Sequence, residues 1–467
     1  MPDPIVYPES RRSDHVDTLH GVTVPDPYRW LEELDSDETR DWIERQNEVT
    51  YGWLGDIPER TDLRSRIERL WDYEKHGLPV KRGGKYFLMR QSGLENQGVL
   101  YVLEDLDAEP RVLLNPNELS EDGTVALTGY ALSEDGAHLA YGLSEGGSDW
   151  QEWRVRDTAT GEDREDHLRW VKFSGASFSH DGLGFYYSRY DAPVDGQALK
   201  GANYDQKLYY HRLGMAQEED TLVYERPDEP EWGFGGQVTD DGRYLIIHVW
   251  KGTARENGIF YLDLHDADGE VVELLADFDA RYGFVGNRDT VFYFLTDDRA
   301  PRSRVIEIDV SDPARKAWRE VIPEGEDTLS SVRHVGGRLV ATTLHHAHSV
   351  VRVYGEDGTH ERDLDLPGLG SVIDVSGRAS SSEAFYAFTG FTTPGRVFRL
   401  ACRAALCLLH YPSYQPNSHL DAFTSIRPQP TIFHRVAEPL FPWEPFSVPT
   451  GRFGQLEIRK IIFIILK

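Results

Sequence analysis

Residues 142–146 read Gly-Leu-Ser-Glu-Gly, the G-x-S-x-G spacing of a nucleophile elbow. That chemistry requires a buried strand before Ser144 and a helix after it. It also requires Asp or Glu and then His downstream, to orient the base that takes the serine proton. Behind Ser144 comes "EWRVRDTATGE", a second strand and a hairpin turn, with no helix. Ser144 is therefore expected to sit in a loop between strands and to carry no nucleophilic role. "LHHAHS" offers His345, His346 and His348, with His346 and His348 expected on one strand face. Two such histidines hold zinc only if further ligands arrive from elsewhere, and no acid or cysteine adjoins them. A polar loop edge is the expected reading. Cys402 and Cys407 are the only cysteines, too few for a disulfide framework and without the second pair that a metal site needs. No phosphate-binding loop or dinucleotide fingerprint is present, so neither a metal nor any other cofactor is expected.

The net charge of −29 argues against nucleic acid and anionic membranes as partners, since both need a basic footprint. The first residues, MPDPIVYPESRRSDHVD, contain no apolar stretch of a secretory leader, and the longest apolar run is Ile461–Leu466. Such a run is far shorter than the roughly 20 residues that span a bilayer. The expected compartment is the cytoplasm. Nothing bears on oligomeric state.

Three segments position these residues. In 1–72, Asp35 followed by Glu38 reads as a capping box. Behind it, Trp42, Ile43, Val49 and Trp53 form one helical apolar stripe, and Leu63, Ile67, Leu70 and Trp71 a second. Across 73–400 the period becomes 2. Short Tyr/Phe/Val/Leu strands follow turns marked by Gly84, Gly136, Gly182, Gly242, Asn287, Gly337 and Ser382, about every 50 residues. That is the length of a four-stranded propeller blade, and seven markers predict a mainly β, seven-bladed propeller. Residues 401–467 differ: 7 basic residues against 4 acids, both cysteines, 8 of the 25 prolines, and no sustained period. No regular element is expected there, and His410, His419 and His434 have no nucleophile to serve.

The N-terminal stretch "YPESRRSDHVDTLHGVTVPDPYRWLEELDSDETRDWIERQN" and the blade segments "NQGVLYV", "QKLYYHRLG", "DEPEW" and "FTGFTTPGRVFRL" resemble the prolyl oligopeptidase family of serine peptidases. The resemblance covers the first 400 residues. It implies an N-terminal segment and a propeller that cover an α/β-hydrolase domain and admit only short peptides, cut after proline. It also implies substrate-binding roles for three residues. Phe173 in "VKFSGASFS" matches an aromatic of the substrate pocket. Asp149 in "GSDW" matches an acid that faces an arginine of the hydrolase domain. Phe234 in "EWGFGGQ" falls where an apolar pocket residue is placed. A departure lies at "HVWKGTARENG", where the family often carries a cysteine and an arginine and this chain has Trp250 and Thr253.

After Leu400 the resemblance stops, before the last strand of the seventh blade. The hydrolase domain implied by the family is missing and with it the catalytic triad, so the chain as given is expected to be inactive. A reading-frame shift explains the break most economically; the DNA after the Leu400 codon would then encode a β-strand and a hydrolase in another frame. A genuine extension is the alternative. In that case a free-standing propeller acting as a peptide- or protein-binding module becomes the competing reading, although Trp30, Trp42 and Trp53 would then lie on a segment with nothing to wrap.

Overall fold

The computed structural model describes residues 5–34, 36–194, 201–391, 393–401 and 408–410. Asp35, Cys402, Cys407, His419 and His434 lie outside the described residues. The chain divides into two compact units, one holding residues 1–72 and the other beginning at Tyr73.

In the first unit a short hairpin, Val16–Leu19 with Val22–Pro25, precedes helix α1 (Asp37–Gly55) and helix α2 (Arg60–Trp71). Both apolar stripes fall on these helices. The N-cap is Ser36, its Oγ accepting from the Thr39 N–H at 3.2 Å. Glu38 pairs with Arg11 at 2.5 Å. A side-chain oxygen must satisfy the free amides of the first turn, and Ser36 is one residue closer to it than Asp35. Trp30 and Trp42 meet edge to face at 6.5 Å, and the Trp42 indole N–H donates to Ser10 Oγ at 2.8 Å.

The second unit is built of antiparallel sheets. Among the described residues it has five discrete blades, not seven. One has five strands between Lys75 and Leu114; four have four strands each, spanning Trp232–Leu275, Tyr282–Ile322, Thr328–Asp363 and Ser371–His410. The other seven strands, from Val125 to Tyr224, form a single continuous sheet. Its middle strand, Asp163–Phe178, is 16 residues long. The first part of that strand pairs with Gln151–Asp157 and the later part with Gly184–Arg189. Counting turns misled because the Gly136 and Gly182 turns both belong to this one sheet. The expected gap at the end of the last blade is not present either. Its outer position is taken by Leu408–His410, which pairs with Thr393–Ala401 through Phe398↔His410 and Leu400↔Leu408.

The sheets pack through alternate apolar side chains, as half-buried strands require. Between the last blade and the first sheet, Phe385 and Val397 pack on Tyr86, Leu88 and Leu103. Polar contacts finish that junction: Glu383 accepts from Lys81 Nζ at 2.9 Å and from Tyr86 Oη at 2.5 Å, and the Ser376 hydroxyl donates to the Pro79 carbonyl at 3.0 Å.

The strand-connecting turns converge at one end. Gly83, at φ +53°, sits where a Cβ would lie 1.7 Å from the Asp135 carbonyl oxygen, so no other residue fits there. Arg378, from a turn of the last blade, pairs with Glu134 and places its Nε 3.0 Å from Asp240. It thereby ties together three sheets that are far apart in sequence.

Candidate functional site

Ser144 ends the His138–Glu145 strand. It is buried, and its hydroxyl donates to the Ser148 carbonyl at 2.5 Å, clamping a glycine turn. A strand follows and no helix, and the Ser144 hydroxyl has no histidine partner among the described residues.

The hairpin histidines are arranged differently from the expectation. His345 and His348 are the cross-strand pair, while His346 (φ +42°) and Ala347 (φ +65°) form the turn. A two-residue turn with positive φ at both positions takes His346 off the strand face. His345 Nδ1 is 2.8 Å from Asp327, and no group of His, Cys, Asp or Glu among the described residues has the geometry of a metal site.

Phe173 is held in an irregular stretch of the Asp163–Phe178 strand. Val171 pairs with Arg189 and the next registered pair is Ala176 with Tyr187, so the chain between bulges outward. Within and beside the bulge, Phe173 (φ +56°) and Trp170 (φ +60°) take a left-handed backbone that aromatic residues avoid. Such strain persists only where the surroundings impose it. Here the buried Gln206 does so: its Nε2 donates to the Lys172 carbonyl at 2.8 Å and its Oε1 accepts from the Phe234 N–H at 2.6 Å. The Ser188 N–H donates to Ser174 Oγ at 2.8 Å, fixing the far side of the bulge. Phe173 is consequently 49% exposed, unusual for a phenylalanine in a strand.

Beside it, Lys172 Nζ lies 5.2 Å from the Phe173 ring centroid, 5.1 Å from that of Trp150 and 3.8 Å from Asp149 Oδ2. Trp150 meets Trp170 and Tyr190 edge to face at 5.8 and 6.1 Å. The structure thus gathers Phe173 and Asp149 around a caged lysine on an aromatic base. Asp149 is exposed, in the turn before Gln151–Asp157. Phe234 is not among them. It is 1% exposed and packs with Trp232, Leu245 and Phe260 in a blade core, offering no surface to a ligand. Trp250, one of the two departures from the resemblance, lies across Gly233 and Gly235, so closely that a Cβ on Gly233 would fall 2.3 Å from its ring. Sequence reasoning missed Lys172, Trp150, Trp170 and Gln206. The aromatic run "WVKF" was the available signal for the first and third of these.

A second polar cluster is fully enclosed. His211 is 0% exposed, with Nε2 3.0 Å from Asp166 and Nδ1 2.6 Å from Asp220, which also accepts from Tyr187 Oη at 2.5 Å. Burial opposes a charge on His211, but the two carboxylates outweigh it and push the imidazole up to about 9. Asp166, which burial alone would raise, is held at about 2 by His211, the Gly214 N–H and Arg164. Both groups are shut off from solvent, so the cluster braces the sheet and reaches no substrate.

The sequence matches the family described as prolyl oligopeptidase, N-terminal beta-propeller domain, over residues 8–405, five residues beyond the break at Leu400. The chain belongs to this family. It is 33% identical to a prolyl endopeptidase of Elizabethkingia meningoseptica over 393 residues, covering 84% of this chain and 55% of that protein. It is 34% identical to prolyl oligopeptidase A of Amanita bisporigera, with coverage of 85% and 56%. Among solved structures, prolyl oligopeptidase B of Galerina marginata bound to a 35mer hydrolysis and macrocyclization substrate superposes with a TM-score of 0.78 at 28% identity, covering 87% of this chain and 60% of that one. The chain therefore spans little more than half the length of the relatives it matches.

Proposed function

We propose that this chain is the substrate-gating N-terminal and propeller region of a prolyl-oligopeptidase-like serine endopeptidase that acts on short proline-containing peptides. The observation that carries the reading is the outward Phe173, held at a strained backbone angle beside Asp149 and Lys172. An exposed aromatic ring offers apolar contact to a proline ring, and a neighbouring acid and base fix polar groups around it. Phe173 and Asp149 are the substrate-facing residues of this reading; Phe234 contributes packing behind them. Bond cleavage falls to a serine, a histidine and an aspartate with an oxyanion hole, on an α/β-hydrolase domain. The propeller's share is to select and orient the peptide.

The test joins residues 1–410, which keep the Leu408–His410 strand, to the hydrolase domain of the Elizabethkingia relative. Activity on short prolyl peptides is expected. Phe173→Ala in that fusion should lower kcat/KM tenfold or more, mainly through KM, since a half-buried ring supplies binding and no chemistry. An active fusion indifferent to Phe173→Ala would remove Phe173 from the site.

A further inference from the structure

One face of the His138–Glu145 strand packs Leu139 and Tyr141 against Phe87, Leu100 and Leu114 of the first sheet. Next to that contact lies a groove of about 800 Å³, bordered by Leu143, Trp150 and Trp170 as well as by Tyr141. A volume of this size accommodates a ligand of a few residues. Three of the five charged residues that line it are matched internally. Glu152 is held by His167 at 2.7 Å and Arg169 at 3.5 Å; Asp163 is held by Arg156 at 2.7 Å and by the Tyr141 hydroxyl at 2.9 Å.

The two exceptions are Glu145, which is exposed, and Arg154. Arg154 is half-buried, yet has no hydrogen-bond or ion-pair partner among the described residues. A carboxylate pairs with a free guanidinium through two parallel hydrogen bonds. Arg154 stands opposite Tyr141 across the strand pair and diagonal to Leu143, so its charge adjoins an apolar wall. Glu145, exposed, closes the other end of the groove. At about 3.3 Å per residue it lies about 13 Å along the strand from Tyr141.

We propose that this groove binds the free carboxyl end of a short peptide whose last residue is apolar. Arg154 takes the terminal carboxylate, the last side chain lies on Leu143 and Trp150, and the peptide runs towards Glu145. Only a chain terminus carries a carboxylate and an apolar side chain on one residue. An acidic side chain would leave the wall uncovered, and an acidic segment would set further carboxylates against Glu145 and Glu152. The groove adjoins the Phe173 cluster through Trp150 and Trp170, but the proposal does not rest on the gating function.

The experiment is calorimetric titration of the full chain with acetyl-Gly-Gly-Leu bearing a free carboxylate. The same peptide as its amide and acetyl-Gly-Asp-Gly-amide serve as comparisons. Saturable binding of the acid is expected, with both comparisons at least tenfold weaker. Arg154→Gln should reduce the acid to the level of the amide. Equal affinity for acid and amide, an equally tight aspartyl peptide, or no saturable binding would each overturn the proposal. The acid–amide comparison needs no substitution, so it decides the matter even if Arg154→Gln folds poorly. Unaltered binding by a folded Arg154→Gln protein would also overturn it. Loss of cleavage in the fusion above would leave this result untouched.

Discussion

Glu383 and Lys81 are 302 residues apart in sequence and 2.9 Å apart in space. Around the same carboxylate stand Tyr86 at 2.5 Å and Arg399 at 2.7 Å, so one buried acid joins the last blade to the first sheet. No strand is shared between these two sheets. Their junction rests on this acid, the Ser376–Pro79 hydrogen bond and the apolar contact behind them.

Glu383→Ala should therefore lower the unfolding free energy by about 2 kcal/mol, since it strips a buried acceptor from three donors. Lys81→Ala should cost below about 1 kcal/mol, because that lysine is already half solvated. Burial works against the Glu383 charge, yet Lys81, Tyr86 and Arg399 hold its pKa below the ordinary 4.5. Its contribution is thus present above pH 4.5 and fades as pH falls through the lowered value. Urea unfolding at pH 7 and at pH 4 measures both effects, and equal costs for the two variants would contradict the assignment.

His211 gives the opposite sign. Its folded pKa near 9 exceeds the ordinary 6.5, so its stabilising contribution is whole below pH 6.5 and is lost as pH rises through about 9. The shift corresponds to a loss on the order of 3 kcal/mol. The melting temperature should fall between pH 6.5 and 9.5. His211→Phe should be less stable at pH 6.5, leaving Asp166 and Asp220 buried without a partner, and should lose that slope. A variant that keeps the slope would assign it to another group.

Phe173 and Phe234 should separate cleanly by alanine substitution. Phe234→Ala opens a cavity in a closed core and should cost about 3–5 kcal/mol. Phe173→Ala removes a side chain half in water and at positive φ, and should cost less than about 1 kcal/mol. Chemical denaturation of the two variants is the check.

Gln206→Ala should loosen the bulge without disturbing the sheets around it. It frees the Lys172 carbonyl and leaves the buried Phe234 amide unpaired, for about 1–3 kcal/mol. Hydrogen exchange should rise in residues 171–176 and at Phe234 and stay level in the blade Tyr282–Ile322. A uniform rise across the unit would mean that Gln206 supports global stability instead.

Much of the β architecture was legible because tight turns leave a local mark: Gly136, Gly182 and Gly242 all adopt the positive φ that their turns demand. How strands join into sheets left no such mark. Nothing in "DREDHLRWVKFSGASF" announces one 16-residue strand, because its continuity is set by partners on both sides. Phe173 and Phe234 are both strand phenylalanines, yet one is out and one is in. Gln206, which holds the bulge at the Lys172 carbonyl, comes from a separate strand connection. Lys172 was invisible for a similar reason: its cage of Asp149, Trp150 and Phe173 closes only when two turns of one sheet meet.

The 16-residue strand also bears on how this chain can change its length. Each discrete blade is bounded by loops, so a repeat could be gained or lost there without cutting a hydrogen-bonded ladder. Between Gly136 and Gly182 that freedom is absent. Any breakpoint in residues 163–178 severs pairing to Gln151–Asp157 on one side or to Gly184–Arg189 on the other, exposing unpaired strand edges. The two hairpin sets it joins share one hydrogen-bonded ladder, so insertions belong in the connections between blades.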